Sequence, residues 1–163
     1  MILVTVGTNE QAFDRLVRAA AALGGTEELI VQYGASRVSH GRGRWVDFVP
    51  FEELDELIAA ADVIVSHAGV GSILLARRHG KRALVVPRRL HLGEAVDDHQ
   101  LTLARRLAGN GMVELLEDER KLGATLAARS HGAVLAPAPE SDLAGAAELA
   151  DDIRIYLGDL VPS

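Results

Sequence analysis

Short apolar runs alternate along the chain with segments in which apolar residues recur every three or four positions. The runs have the length and β-branched content of buried strands, and they predict six strands: Ile2–Val6, Leu29–Tyr33, Trp45–Val49, Val63–Ser66, Ala83–Val86 and Met112–Leu116. The intervening segments predict helices over Gln11–Leu23, Phe51–Ala61, Ser72–His79 and Asp98–Ala108, followed by a last helix over Ser141–Leu157.

Strands joined by helical crossovers form a parallel sheet with helices on both faces. The apolar character of whole strands agrees with this, because parallel strands are buried on both sides. We therefore predict an α/β fold, a Rossmann-like parallel sheet of about six strands, in which ligands bind at the carboxyl ends of the strands. At 163 residues the chain is expected to be a single domain with a C-terminal helical tail at about 137–163.

Composition narrows the class of protein. Hydrophobic residues make up 48% and charged residues 25%, which is typical of a folded globular domain. The net charge of −6 argues against nucleic-acid binding, and the absence of cysteine excludes disulfides and thiolate metal sites. We expect no leader peptide, because the N-terminal run 1–6 has no positive flank or cleavage site and breaks at Gly7. We expect no transmembrane segment and a cytoplasmic location, because Asp62, Ser66 and His67 interrupt the longest apolar stretch, 57–76.

One short segment is strongly basic. Residues 77–89 contain no acid and six basic residues, Arg77, Arg78, Lys81, Arg82, Arg88 and Arg89, so the rest of the chain carries −6 − 6 = −12. The first four end a predicted helix, where basic side chains suit the helix dipole, and any further role is expected at a membrane or partner surface. Arg88 and Arg89 follow the fifth strand and are expected at the ligand edge of the sheet.

Two loops after strands contain glycines. Gly7 and Thr8 follow the first strand, where glycine lets backbone amides approach a ligand, although a turn that caps the next helix explains them equally well. The loop after the fourth strand leads into a helix with Gly69, Gly71 and Ser72. Amides, a hydroxyl and a helix dipole at that place suit a phosphate or diphosphate. His67 is polar where a core residue would be apolar, and a structural histidine is the alternative.

Two further loops follow predicted strands. The loop 87–96 leads into a helix that starts with Asp98, His99 and Gln100, whose side chains suit the hydroxyl groups of a sugar or ribose. The alternative is that Asp97 or Asp98 only caps the helix and that the arginines are solvated. The loop 48–51 could line a base pocket, although turn and core residues explain it equally well.

Two common nucleotide-binding signatures are absent from the sequence. No Gly-Lys-Ser/Thr follows the glycines of the fourth-strand loop, so it is not a P-loop. Leu74 stands where a dinucleotide fingerprint has its third glycine, and Tyr33-Gly34 stands where such proteins have an acid. A nicotinamide-dependent oxidoreductase is therefore a weaker alternative.

The loops in this order carry a family resemblance. Ser-His-Ala-Gly-Val-Gly-Ser at 66–72, Pro-Arg-Arg at 87–89 and Asp-His-Gln at 98–100 resemble the C-terminal, donor-binding domain of GT-B glycosyltransferases of family 28. Val-Thr-Val-Gly-Thr at 4–8, followed by Phe-Asp-Arg-Leu at 13–16, is most similar to single-domain catalytic subunits of two-subunit enzymes, such as the exopolysaccharide subunit PssE and the dolichol-pathway UDP-GlcNAc transferase subunit. The resemblance covers about residues 1–116 and implies half of a GT-B fold.

The resemblance implies roles for particular residues. Three of them would hold the donor diphosphate: Gly69, Gly71 and Ser72. His67 would lie beside it, and His99 and Gln100 would contact donor hydroxyl groups. On physical grounds, Arg88 or Arg89 would meet the negative charge that develops on the departing nucleoside diphosphate.

Ribose recognition departs from the family pattern. Many members bind the ribose hydroxyl groups through a glutamate three residues after the serine, and Leu75 occupies that position here. We expect Glu94 or Asp98 to replace that glutamate.

The sequence thus leads us to expect the donor-binding subunit of an inverting glycosyltransferase, which moves a sugar from a UDP-sugar to a lipid-linked saccharide in polysaccharide biosynthesis. The resemblance implies no metal or other cofactor, and Asp97-Asp98 is more simply a helix start. The general base would come from a membrane-anchored acceptor-domain subunit, which would hold the chain at the inner face of the membrane. A non-catalytic regulatory subunit is the other alternative.

Overall fold

The computed structural model describes residues 1–130, so the helix expected over Ser141–Leu157 and the tail at about 137–163 lie outside the described residues. All six predicted strands are present: β1 (Ile2–Thr5), β2 (Leu29–Gln32), β3 (Arg44–Val46), β4 (Val63–Ser66), β5 (Leu84–Val85) and β6 (Glu114–Leu115). Most are shorter than predicted, because the apolar runs extend past the paired segments. Val86 and Val113, for example, are buried although they lie outside the strands.

Four predicted helices are present, and a fifth follows β6: α1 (Asp14–Ala21), α2 (Phe51–Ala60), α3 (Val70–Arg78), α4 (His99–Gly109) and α5 (Leu122–Ser130). Short 3₁₀ helices, Leu90–Leu92 and Glu119–Lys121, precede α4 and α5. α3 begins earlier than predicted, so Gly71 and Ser72 lie in its first turn. α1 begins later than predicted, and the Asn9 side-chain oxygen accepts from the Gln11 N–H in a turn before it.

The sheet has the strand order β3-β2-β1-β4-β5-β6, and every pair is parallel. The order reverses between β1 and β4, where Thr5 lies opposite Ser66. The loops that leave these two strands therefore begin side by side, at the place where open α/β sheets bind their ligands.

Each face of the sheet carries one apolar layer. Leu3 packs in the layer that contains α2, α3 and α4, whereas its neighbour Val4 packs in the layer that contains α1 and α5. Both side chains are fully buried, and each such burial contributes about 1.5–3 kcal/mol. The helices of both layers enter from the carboxyl edge, so their N-termini converge on it.

The basic residues at the end of α3 lie at the opposite edge from these loops. The Lys81 ammonium donates to the carbonyl oxygens of Ile58 and Ala61 at 2.9 and 2.6 Å, and also to that of Ala59, so it caps the last turn of α2. The three donors of the ammonium are thus used at the C-terminus of α2, and a role of the other basic residues at a membrane or partner surface stays a prediction. Among residues 1–130, no helix has the length and apolar content needed to span a membrane.

Candidate functional site

The imidazole of His67 lies between the backbones of two glycines at the carboxyl ends of β1 and β4. A Cβ atom on Gly7 or on Gly69 would come within 3.0 Å of imidazole atoms, closer than side chains pack. Ala68 has a φ of 66°, a left-handed conformation that residues with a side chain rarely adopt. The glycines therefore leave room for the imidazole, and the strained turn at Ala68 leads the chain into α3.

His67 is neutral at physiological pH. Burial, together with the nearby positive charge of Arg88, lowers the pKa of its imidazole to about 4, while an interaction with the Thr5 backbone opposes both. Within residues 1–130, the buried Nδ1 atom of the ring has no hydrogen-bond partner. Such atoms are uncommon in folded proteins, and the Thr5 backbone interacts with the same ring.

The first turn of α3 presents amide donors beside this ring. Gly69 precedes the helix, and no side chain in the described part of the chain caps it. The first N–H groups of a helix have no intrahelical acceptor, and the helix dipole makes them attractive to an anion. Gly71 is exposed here, and a Cβ atom on it would meet no atom within 4 Å. Packing within residues 1–130 does not require this glycine, whereas a ligand that approaches the backbone closely would.

The hydroxyl of Ser72, which is predicted to bind the diphosphate, forms hydrogen bonds within its own loop. Its hydroxyl lies 2.6 Å from the Ser66 hydroxyl and donates to the Gly69 carbonyl oxygen at 3.0 Å, and the residue is buried. Since a serine has one hydroxyl proton, that proton is used inside the loop, where it ties the end of β4 to the start of α3. Direct binding of a phosphate by Ser72 stays a prediction.

A buried pair that was not identified from the sequence fixes the loop at Gly7. The Thr5 hydroxyl donates to the Gln32 side-chain oxygen at 2.5 Å, which also accepts from the Gly7 N–H at 3.2 Å. The Gln32 amide nitrogen donates to the Gly7 carbonyl oxygen at 2.8 Å. One glutamine thus holds both peptide groups of Gly7, whose φ of 74° favours glycine, and Thr8 is exposed next to it.

Arg88 was expected to face a ligand and is instead completely buried. Its guanidinium donates hydrogen bonds to four backbone carbonyl oxygens, those of Val6, Gln11, Ala12 and Glu94. Burial lowers the pKa of Arg88 to about 10 although the Glu94 carboxylate opposes it, so the group stays charged at neutral pH. The expected contact between Arg88 and a ligand is thus corrected, because these donors are used inside the protein.

Glu94 is also placed inside the protein. Its buried carboxylate accepts from Arg15 Nε at 2.8 and 3.0 Å and from the Arg89 N–H at 3.0 Å, so it is not placed to bind a ribose. The Arg89 side chain donates to the Glu117 carbonyl oxygen after β6, away from the loops of β1 and β4. Leu75, at the position of the family glutamate, packs in the core.

The start of α4 contributes the remaining predicted residues. Asp98 is exposed and accepts the Leu90 N–H at 3.1 Å, whereas Asp97 accepts the His99 N–H at 3.0 Å and forms the turn into the helix. Gln100 is half-buried, and its side-chain oxygen has no hydrogen-bond partner within residues 1–130. Asp98, His99 and Gln100 lie together on the β5 side of the same edge, where their contact with donor hydroxyl groups stays a prediction.

Exposed apolar side chains lie on both sides of these loops. Phe48 in the β3–α2 connection and Phe51 at the start of α2 are 59% and 61% exposed, and Leu92 and Val96 in the β5–α4 connection are 51% and 79% exposed. Large exposed apolar side chains near a polar site are typical of a surface that contacts a ligand or partner. In the described part of the chain, no three residues of His, Cys, Asp or Glu are grouped in a way that could hold a metal ion.

A parallel sheet with glycine-containing loops at the point where the strand order reverses defines a Rossmann-like, nucleotide-binding class of domain. Comparison with protein families identifies the family within this class. The model of the glycosyltransferase family 28 C-terminal domain matches residues 1–152, and the chain belongs to this family. The resemblance seen in the sequence is thereby confirmed, and the oxidoreductase and regulatory alternatives are not favoured.

Curated relatives are fungal proteins. The chain is 36% identical over 110 residues to the UDP-N-acetylglucosamine transferase subunit ALG13 of Eremothecium gossypii, covering 66% of this chain and 52% of the relative. It is 29% identical over 114 residues to the protein of the same name from Yarrowia lipolytica, covering 66% of this chain and 56% of the relative. The chain thus spans about half the length of the curated relatives it matches.

Solved glycosyltransferase structures share the fold. The spinosyn forosaminyltransferase SpnP superposes with a TM-score of 0.59 at 21% identity, covering 99% of this chain and 40% of SpnP. The glycosyltransferase SnogD from Streptomyces nogalater superposes with a TM-score of 0.54 at 24% identity, again covering 99% of this chain and 40% of the other. The predicted fold class, a Rossmann-like half of a GT-B fold, is confirmed.

Proposed function

We propose that this chain is the donor-binding subunit of an inverting glycosyltransferase that transfers a sugar from a UDP-sugar to a lipid-linked saccharide. Membership of family 28 and the relatives named as UDP-N-acetylglucosamine transferase subunits support the donor and the reaction. The observation that carries the proposal is the convergence at one edge of the uncapped α3 N-terminus, the exposed Gly71 and the half-buried imidazole of His67.

In the proposed reaction, this chain stabilises the leaving group. In an inverting transfer, an acceptor hydroxyl attacks the anomeric carbon, the bond to the UDP oxygen breaks, and the diphosphate leaves with an additional negative charge. The α3 amides and the helix dipole favour that charge where it develops. Since His67 is neutral, its one ring N–H can donate a hydrogen bond to the diphosphate without bringing a charge of its own.

The proton of the acceptor hydroxyl needs a general base, which we assign to a membrane-anchored acceptor-domain subunit. Such a partner would keep this chain at the inner face of the membrane, where the lipid-linked acceptor lies. The exposed Phe48, Phe51, Leu92 and Val96 surround the loops where that partner would close over the donor. We propose no metal cofactor, so transfer is expected to persist in EDTA.

Turnover with and without the partner tests this proposal. The purified chain is incubated with radiolabelled UDP-N-acetylglucosamine and a lipid-linked acceptor, alone or with a co-expressed acceptor-domain subunit. We expect transfer only in the complex and a loss of at least tenfold with Gly71→Asp. Arg105→Met is the matched control, because Arg105 forms an exposed ion pair with Glu117. Full turnover by the chain alone would contradict the proposed division of labour.

A further inference from the structure

A single buried guanidinium connects two of the loops at the carboxyl edge. Arg88 Nη2 donates to the Val6 carbonyl oxygen at 3.0 Å, and Nη1 donates to that of Gln11 at 2.8 Å. These two carbonyl groups lie on either side of Gly7, so Arg88 closes the β1–α1 loop. Nη1 also donates to the Glu94 carbonyl oxygen at 3.0 Å, which ties that loop to the β5–α4 loop.

The surroundings of Arg88 fix its orientation. The guanidinium lies over the Phe13 ring at 4.8 Å, and the Arg15 guanidinium lies 4.9 Å from the centroid of the same ring. Arg15, which is half-buried, in turn forms an ion pair with the buried Glu94. Apolar side chains of similar volume commonly stabilise a fold as well as a buried ionic network does, whereas directional hydrogen bonds from a planar fork specify a geometry.

The charge of Arg88 also acts on the loop 66–72 between β4 and α3. Its positive charge reaches His67, whose ring is packed between Gly7 and Gly69. All four acceptors of the Arg88 guanidinium are backbone carbonyl oxygens, and within residues 1–130 the Glu94 carboxylate is the negative charge that acts on it. A bound diphosphate at α3 would therefore feel this charge without touching it.

We propose that Arg88 is a positioning residue that holds the β1–α1 and β5–α4 loops in the arrangement that binds the nucleoside diphosphate. This inference rests on the proposed function, since it takes UDP as the ligand. The two arginines of the Pro-Arg-Arg element thus have different roles. Arg88 positions two loops of the site, whereas Arg89 donates to the Glu117 carbonyl oxygen after β6.

The test compares Arg88→Met and Arg88→Lys in the full chain with Arg105→Met as the matched control. Folding is checked by circular dichroism, loop order by amide hydrogen exchange of residues 7–13 and 89–96, and UDP binding by calorimetry. We expect both variants to exchange at least tenfold faster in these loops. UDP affinity should fall at least tenfold in Arg88→Met and at least threefold in Arg88→Lys, which keeps the charge but not the fork.

A spectroscopic readout separates positioning from general destabilisation. The NMR titration midpoint of His67 should rise in Arg88→Met and stay low in Arg88→Lys, because only the first removes the positive charge. If Arg88→Met does not fold, Arg88→Lys alone decides through loop exchange and affinity. Folded variants with wild-type loop protection and UDP affinity would overturn the proposal. If the wild-type chain binds no UDP, the proposed function fails, and faster loop exchange in Arg88→Lys still supports the positioning role.

Discussion

The imidazole of His67 occupies the space that a side chain on Gly69 would need. Gly69 has a φ of −71° and a ψ of 136°, which any residue adopts, so its backbone does not require glycine. The requirement comes from the ring, since a Cβ atom at this position would lie within 3.0 Å of it. The two residues therefore form one structural unit at the mouth of the candidate site.

Gly69→Ala should destabilise the chain by about 1–3 kcal/mol, because the added methyl group displaces the imidazole. His67→Ala removes the ring, so the double variant should be less destabilised than the sum of the single variants. Urea unfolding of the four proteins gives the coupling energy in a double-mutant cycle. Additive effects would show that the glycine is needed for another reason.

Stability should depend on pH through His67. Its folded pKa is about 4, whereas an unfolded histidine titrates near 6.5, so the unfolded state takes up the proton first as the pH falls. The stability associated with the neutral ring is fully present above about pH 6.5 and is lost toward pH 4, by about 2–3 kcal/mol. Urea unfolding between pH 7.5 and 4.5 should therefore show a steeper loss for the wild type than for His67→Gln. Parallel curves would contradict the low folded pKa.

Gly71→Ala should separate binding from stability. The methyl group meets no atom within 4 Å and replaces a glycine inside a helix, so stability should stay the same or rise by up to about 1 kcal/mol. UDP affinity should fall at least threefold, because the methyl group stands where the diphosphate approaches the amides. Gly109→Ala is the matched control, since Gly109 is helical, has equally open surroundings and lies at the far end of α4. Equal UDP affinity in both variants would place the ligand elsewhere.

Lys81→Met should lower the free energy of unfolding and leave UDP affinity unchanged. The ammonium satisfies carbonyl groups at the end of α2, so its loss should cost about 1 kcal/mol. Lys121, the other lysine of the chain, is exposed, and Lys121→Met is the control. Thermal unfolding measures the difference. UDP affinity should match the wild type in both variants, and a tenfold loss in Lys81→Met would show that the two edges of the sheet are coupled.

The fold was predictable from the sequence because its signals are local. Alternating apolar runs and helical periods gave all six strands and four helices of the described residues. Helix α5 and the 3₁₀ helix before it were not predicted, since Leu122–Ser130 buries only Leu122 and Leu126 and its apolar period is weak.

The candidate site was predictable as a set of loops but not as a set of contacts. The glycines and His67 stand out in the sequence because their residue types are unusual at the end of a strand. The burial of Arg88 and Glu94 depends on partners 82 and 79 positions away, Val6 and Arg15, which no local pattern contains. The same is true of the pair between Thr5 and Gln32, whose only sequence signal is a polar residue closing each of two apolar strands.

Calorimetric titration of the full chain with UDP tests the central claim most directly. The account predicts saturable binding of UDP, much weaker binding of NADH, and at least a tenfold loss of UDP affinity in folded Gly71→Asp, which is about 1.4 kcal/mol or more. The added carboxylate would stand at the α3 amides and repel the diphosphate. Wild-type UDP affinity in folded Gly71→Asp, or equal binding of NADH and UDP by the wild type, would contradict a donor-binding site at the start of α3.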